Sequence, residues 1–119
     1  MLFRSSPAPT SAEVADIIGS PASDLLVARV DGRIVGTLTL VIFRIPTGMR
    51  AWIEDVVVDE SARGHGVGEA LNRFALQVAR SRGCKTVDLT SRPSREAANR
   101  MYQRIGFKAR ETNVYRFDL

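Results

Sequence analysis

Apolar positions along the chain fall into runs whose spacing changes from one stretch to the next. Val14, Ile17 and Ile18 recur at i, i+3 and i+4 behind Thr10 and Glu13, a capping-box pair, and Gly19 with Pro21 stops the pattern. A short helix is predicted there. Residues 25–30 and 34–43 are rich in β-branched and aliphatic side chains and are divided by Asp31-Gly32, a hairpin turn signal. Two antiparallel strands follow from that. After a loop at Pro46, Thr47 and Gly48, residues 51–58 predict a third strand, whose continuous apolar end suits cover on both faces.

A glycine-rich stretch at residues 63–68 then opens a helix to about Arg82, with Leu71, Phe74, Ala75, Val78 and Ala79 on one face and Gly83 at its end. Residues 86–90 predict a short strand, 94–104 a second long helix, and 107–117 one or more final strands. The order α-β-β-β-α-β-α-β describes an α/β (α+β) chain with helices packed on a mixed sheet. Residues 1–9, with Pro7 and Pro9, are expected to be a flexible lead-in to one domain, since 119 residues allow a single core.

Composition narrows the function classes. At 45% hydrophobic and 25% charged residues the chain is an ordinary globular one, neither disordered nor fibrous. The apolar run at 34–43 falls far short of the ~20 residues that cross a bilayer, and residues 1–10 lack the basic-then-apolar order of a secretory signal. A cytoplasmic location is the resulting expectation. Cys84 and His65 are each the sole residue of their type, so no disulfide, no cysteine or histidine metal site and no bound metal are expected. The net charge of +4 invites an anionic partner. Nucleic acid fits poorly, because the arginines are spread from Arg4 to Arg116 with acids between them. A phosphate-bearing small molecule explains the charge equally well.

The glycine-rich turn leaves a buried strand and opens a helix, a place where unpaired amides and the helix dipole favour phosphate. No Gly-Lys pair exists, which excludes a Walker loop, and the spacing of Gly64, Gly66 and Gly68 does not fit Gly-x-Gly-x-x-Gly. What stands there is Arg63-Gly64-His65-Gly66-Val67-Gly68, preceded by Glu54-Asp55-Val56-Val57-Val58-Asp59. This resembles the acetyl-coenzyme A loop of the GNAT superfamily of N-acetyltransferases. Residues 88–93 and then 95–107, where a helix carrying Tyr102 ends in Gly106-Phe107, look like that family's second signature.

The resemblance covers about residues 52–107. It implies a mostly antiparallel mixed sheet with a splayed strand pair, and acetyl-CoA as cofactor. The pyrophosphate would sit on the amides of Arg63, Gly64, His65, Gly66, Val67 and Gly68, and the pantetheine arm would pair with the backbone of Val56, Val57 and Val58. Asn99 resembles a position that contacts that arm. Arg95 stands where many members carry Asn. Arg63, Arg92, Arg95 and Arg104 are candidates for the cofactor phosphates or for solvated surface.

Strict alternation along the third strand would place Trp52, Glu54 and Val56 on one face and Ile53, Asp55 and Val57 on the other. Adjacent carboxylates in an apolar strand cannot both sit unpaired in a dry core, so at least one is expected in a wet cleft. Glu54 lies where many GNAT members place a general base, with a salt bridge to an arginine as the structural alternative and Asp55 in reserve. Tyr102 resembles the family's general acid, although Ala98, Met101, Tyr102 and Ile105 also form a core stripe by spacing alone.

These readings predict direct acetyl transfer to a primary amine of a small molecule or of a peptide or protein. A catalytically silent coenzyme A-binding module is the alternative reading. Residues 53–58 resemble the branch that acts on glucosamine 6-phosphate. Relative to the family the chain is N-terminally shortened on the acceptor side, so the expectation is an unusually open acceptor site, one that a partner subunit completes as in a homodimer, or a sequence that is itself a shortened piece.

Overall fold

The computed structural model describes residues 7–119. The part of the expected lead-in at residues 1–6 lies outside them, and residues 7–10 are exposed. Thr10 Oγ1 accepts from the Glu13 amide at 3.2 Å, and the Thr10 amide donates to Glu13 Oε1 at 2.9 Å. This capping box starts α1 (Ser11–Gly19), as its sequence pattern predicts. Its apolar stripe is only half used, because Ile18 stays exposed.

Asp31 and Gly32 both have positive φ, 51° and 78°, which is the backbone of a type I′ turn. It joins β1 (Ser23–Val30) to β2 (Arg33–Ile45), and β2 turns back into β3 (Gly48–Val58). The three strands run antiparallel, while β4 (Thr86–Asp88) joins β3 in parallel, giving the order β1-β2-β3-β4. The described chain is thus a mixed, mostly antiparallel sheet with three α-helices.

One sheet face carries the core. Leu26, Leu38, Leu40, Ile42, Ala51 and Ile53 pack against Leu71, Ala75 and Ala79 of α2 (Val67–Ser81). Full burial of each leucine or isoleucine contributes about 1.5–3 kcal/mol, so this face holds α2 in place. Gly36 lets the helix come close: a Cβ there would lie 2.8 Å from Val67 Cγ1 and 3.0 Å from Leu71 Cδ1. Phe74, assigned to the buried stripe by spacing, is instead half exposed.

The C-terminal expectation fails. Residues 107–119 form no strand after α3 (Glu96–Ile105), and β4 ends at Asp88 rather than at residue 90. The cause is a missing partner. A strand exists only through hydrogen bonds to a neighbour, and residues 107–119 run on without a turn or bend to bring them back along β4. Phe107 packs against the core, whereas Val114, Tyr115 and Phe117 stand 70–88% exposed. Among the described residues, no helix is long and apolar enough to cross a membrane.

Candidate active site

The site begins at an irregularity in β3. Thr39 pairs with Glu54 and Thr37 with Val57, so Asp55 and Val56 together oppose Leu38 alone. This is a β-bulge, and Asp55 takes the left-handed conformation it requires, with φ of 48°. Alternation therefore slips by one residue. Glu54 shares a face with Val57, not Val56, which corrects the expectation of strict alternation, and Val58 joins Gly36 on the α2 side.

On its other edge β3 pairs with β4 only through Arg50, Ala51 and Trp52. Beyond Trp52 the two chains part. The opening is a cleft of about 640 Å³, lined by β3 from Ile53 to Val58, the glycine-rich loop, and α3 residues including Ala98, Met101 and Tyr102.

Glu54 and Asp55 both line this cleft and both are exposed, so neither bears the desolvation cost of a dry interior. Glu54 Oε1 accepts from Trp52 Nε1 at 2.7 Å. Among the described residues, no arginine pairs with it in a salt bridge. Trp52 was not singled out by sequence reasoning, though i, i+2 spacing on one strand face was the signal for it.

The loop at 63–68 enters α2 through Gly66, whose φ of 76° is left-handed, as is that of Gly64 at 82°. No side chain caps α2, so the amides of its first turn are not spent on a capping group. Arg63, Gly64, Gly66, Val67 and Gly68 line the cleft; His65 does not. The Arg63 amide is engaged by the Glu60 carbonyl at 3.2 Å, which leaves its side chain as the available group.

From α3, Tyr102 reaches the cleft while 7% exposed, its ring edge-on to Phe107 with centroids 5.8 Å apart. It serves the core stripe and the cleft together. Asn99 lies elsewhere: Nδ2 donates to the Arg92 carbonyl at 2.9 Å, and the residue lines a neighbouring groove. Arg95 and Arg104 border the cleft, and Arg92 does not.

Glu69, which sequence reasoning passed over, clips α2 to α3 at the cleft rim. Its Oε1 receives Arg104 at 2.6 Å and its Oε2 receives Arg73 at 3.0 Å. The hydrogen bond from Arg104, then that from Arg73, holds its carboxyl below the usual carboxylate range.

Residues 2–107 match the family model of the acetyltransferase (GNAT) family. Over 91 residues the chain is 44% identical to the glucosamine 6-phosphate N-acetyltransferase of Trypanosoma brucei brucei, covering 74% of this chain and 59% of that protein. The chain therefore spans less than two thirds of that relative's length. Among solved structures, a putative acetyltransferase from Agrobacterium tumefaciens str. C58 superposes with a TM-score of 0.86 at 30% identity, over 96% of this chain and 84% of that one. An acetyltransferase from Trypanosoma brucei gives a TM-score of 0.77 at 36% identity, over 94% and 82%. With a family match running through both the bulged strand and the glycine-rich loop, the chain belongs to the acetyltransferase (GNAT) family.

Proposed function

We propose that the chain transfers the acetyl group of acetyl-coenzyme A to a primary amine in the cleft between β3 and α3. The observation that carries this reading is that Glu54, Tyr102 and the glycine-rich loop line one cavity. A phosphate-bearing cofactor suits these residues. Gly64 and Gly66 are already in left-handed backbone, the first-turn amides of α2 have no side-chain cap, and β3 beyond Trp52 is unpaired with β4. The loop would hold the pyrophosphate by its amides and the helix dipole. Residues Val56, Val57 and Val58 would pair with the pantetheine amides as a neighbouring strand does.

Acetyl-coenzyme A, when bound, supplies the thioester whose carbonyl carbon the amine attacks. Glu54 takes the proton that the ammonium must lose before its nitrogen has a free lone pair. The Trp52 indole engages one carboxylate oxygen of Glu54, a residue that lines the cleft. As the carbon–sulfur bond breaks, the Tyr102 hydroxyl would give a proton to the departing sulfur; the second proton that the nitrogen sheds on becoming an amide would restore the tyrosine through solvent, and Glu54 would release the first to bulk water. Tight positioning of amine and thioester contributes much of the remaining acceleration.

The family similarity supports a small phosphorylated amine as first acceptor to try, since the Trypanosoma relative is a glucosamine 6-phosphate N-acetyltransferase. Calorimetry with acetyl-coenzyme A, followed by a thiol-release assay over glucosamine 6-phosphate, other amines and peptides, tests the proposal. Binding followed by amine-dependent thiol release is expected. Binding with no release from any amine would favour the silent coenzyme A-binding module, and no binding would remove both.

A further inference from the structure

The largest concavity of the molecule is a groove of about 1340 Å³ that runs along β4, beside the cleft. Trp52 lines the groove and Glu54 lines the cleft, so the 2.7 Å hydrogen bond from Trp52 Nε1 to Glu54 Oε1 crosses from one to the other. That bond joins two residues with very different support.

Trp52 is anchored on both edges of its strand. It pairs with Val41 of β2 and with Asp88 of β4, the last pair before β3 and β4 part, and it is half-buried. Glu54 pairs with Thr39 of β2 and has no pair on β4, and the bulge begins at the next residue, where Asp55 has a φ of 48°. Trp52 and Glu54 share the face opposite Leu40, Ala51 and Ile53, away from the core under α2. There Glu54 is exposed. A long, exposed side chain on such a stretch samples many rotamers, and ordering it has an entropic cost. A base that wanders spends little time within reach of the proton it must take.

We propose that Trp52 is a positioning residue for the general base: its indole holds the Glu54 carboxylate in the orientation that the acceptor amine meets. The role rests on the assignment of Glu54 as that base. Position 52 suits the task. Residues i and i+2 on one strand face stand about 6.6 Å apart, a span the indole crosses because its N–H lies toward the far end of a stiff ring. The indole donates and cannot accept, while the ionised carboxylate accepts and cannot donate, so each supplies what the other lacks. The donor is also neutral. It orients the carboxylate without cancelling the charge that attracts an ammonium, which a guanidinium in its place would do. Arg50 stands on the same strand face, and its guanidinium donates instead to Thr47 Oγ1 at 3.1 Å.

Trp52 is the only tryptophan, so a nitrogen–proton correlation spectrum of the free chain carries one indole signal. A bond to a charged acceptor should displace that signal downfield and slow its exchange with solvent, and Glu54→Gln, at an exposed position, should move it back upfield. Kinetics then separate positioning from packing. Trp52→Phe keeps an aromatic ring and removes the donor. It should lower kcat by roughly ten- to a hundred-fold with acetyl-coenzyme A affinity unchanged, and should lower it no further in the Glu54→Gln background. An indole signal that ignores Glu54→Gln overturns the proposal. So does an unchanged kcat, an equal loss in both backgrounds, or a loss matched by weaker cofactor binding. A native chain that binds acetyl-coenzyme A and releases no thiol with any amine fails at an earlier point: it removes Glu54 as base, and the role of Trp52 falls with it.

Discussion

The cleft and the groove share Leu89, Thr90 and Tyr102 as a common wall, yet the rest of their linings differ in kind. The cleft is half the volume and is built from backbone: a bulged strand edge, two left-handed glycines and an uncapped helix start. The groove is built from the free edge of a three-residue strand over an apolar floor. Size alone would choose the groove, whereas the chemistry proposed above belongs to the cleft. Directed amides and carboxylates suit a charged small molecule.

The sharpest way to break this division is at the shared wall. Tyr102→Phe should slow turnover by roughly 10²- to 10⁴-fold with little change in acetyl-coenzyme A affinity, read as kcat against a calorimetric Kd. An unchanged kcat at saturating substrates removes the hydroxyl from the reaction and leaves Tyr102 as core. Glu54→Gln should cost a similar factor, and the loss should shrink at high pH, where the acceptor amine is already neutral without a base. In the native chain the rate should rise with pH as the acceptor amine loses its proton. A flat profile from mildly acidic to alkaline pH would mean that no deprotonation limits the step.

A smaller effect is expected at the loop. Gly66 is left-handed at φ 76°, and a Cβ there meets nothing within 4 Å, so the cost of a side chain is conformational alone. Gly66→Val should lose about 1–2 kcal/mol of loop stability, which a titration reads as roughly five- to thirty-fold weaker acetyl-coenzyme A binding.

The smallest effect is assigned to the rim clip. Glu69→Gln removes the charge that holds Arg104 and Arg73, and a few-fold change in cofactor affinity is expected from a pair this exposed. Because the Glu69 carboxyl is held below its ordinary range in the folded chain, the clip is complete above the usual carboxylate values. It is lost as pH falls through the lowered folded value. Acid should therefore abolish the difference between native and Glu69→Gln affinities, and a difference that grows toward low pH would contradict the assignment.

Much of the antiparallel half was legible because its signals are local. The Thr10/Glu13 box, the Asp31-Gly32 turn and the spacing of Leu71, Ala75 and Ala79 each act within a few residues, and the structure follows them. The bulge at Asp55 was half legible: two adjacent carboxylates in an apolar strand announced a wet position, but not the slipped register that puts Glu54 and Val57 on one face. Trp52 as the partner of Glu54 was within reach of the sequence, two residues away on one strand face, whereas Glu69 as the link to Arg104 depends on which helices meet. The C-terminal strand was misread for a related reason. Residues 113–119 have the right alternation, but a strand needs a neighbour, and that neighbour is not encoded in the segment itself.

Backbone amide chemical shifts, followed while acetyl-coenzyme A is added to the full chain, test the division most directly. Perturbations should concentrate at residues 56–58, Gly64 and 66–69, and leave residues 84–87 and 113–119 largely unmoved. Shifts concentrated along β4 and the C-terminal segment, with the glycine-rich loop silent, would contradict it.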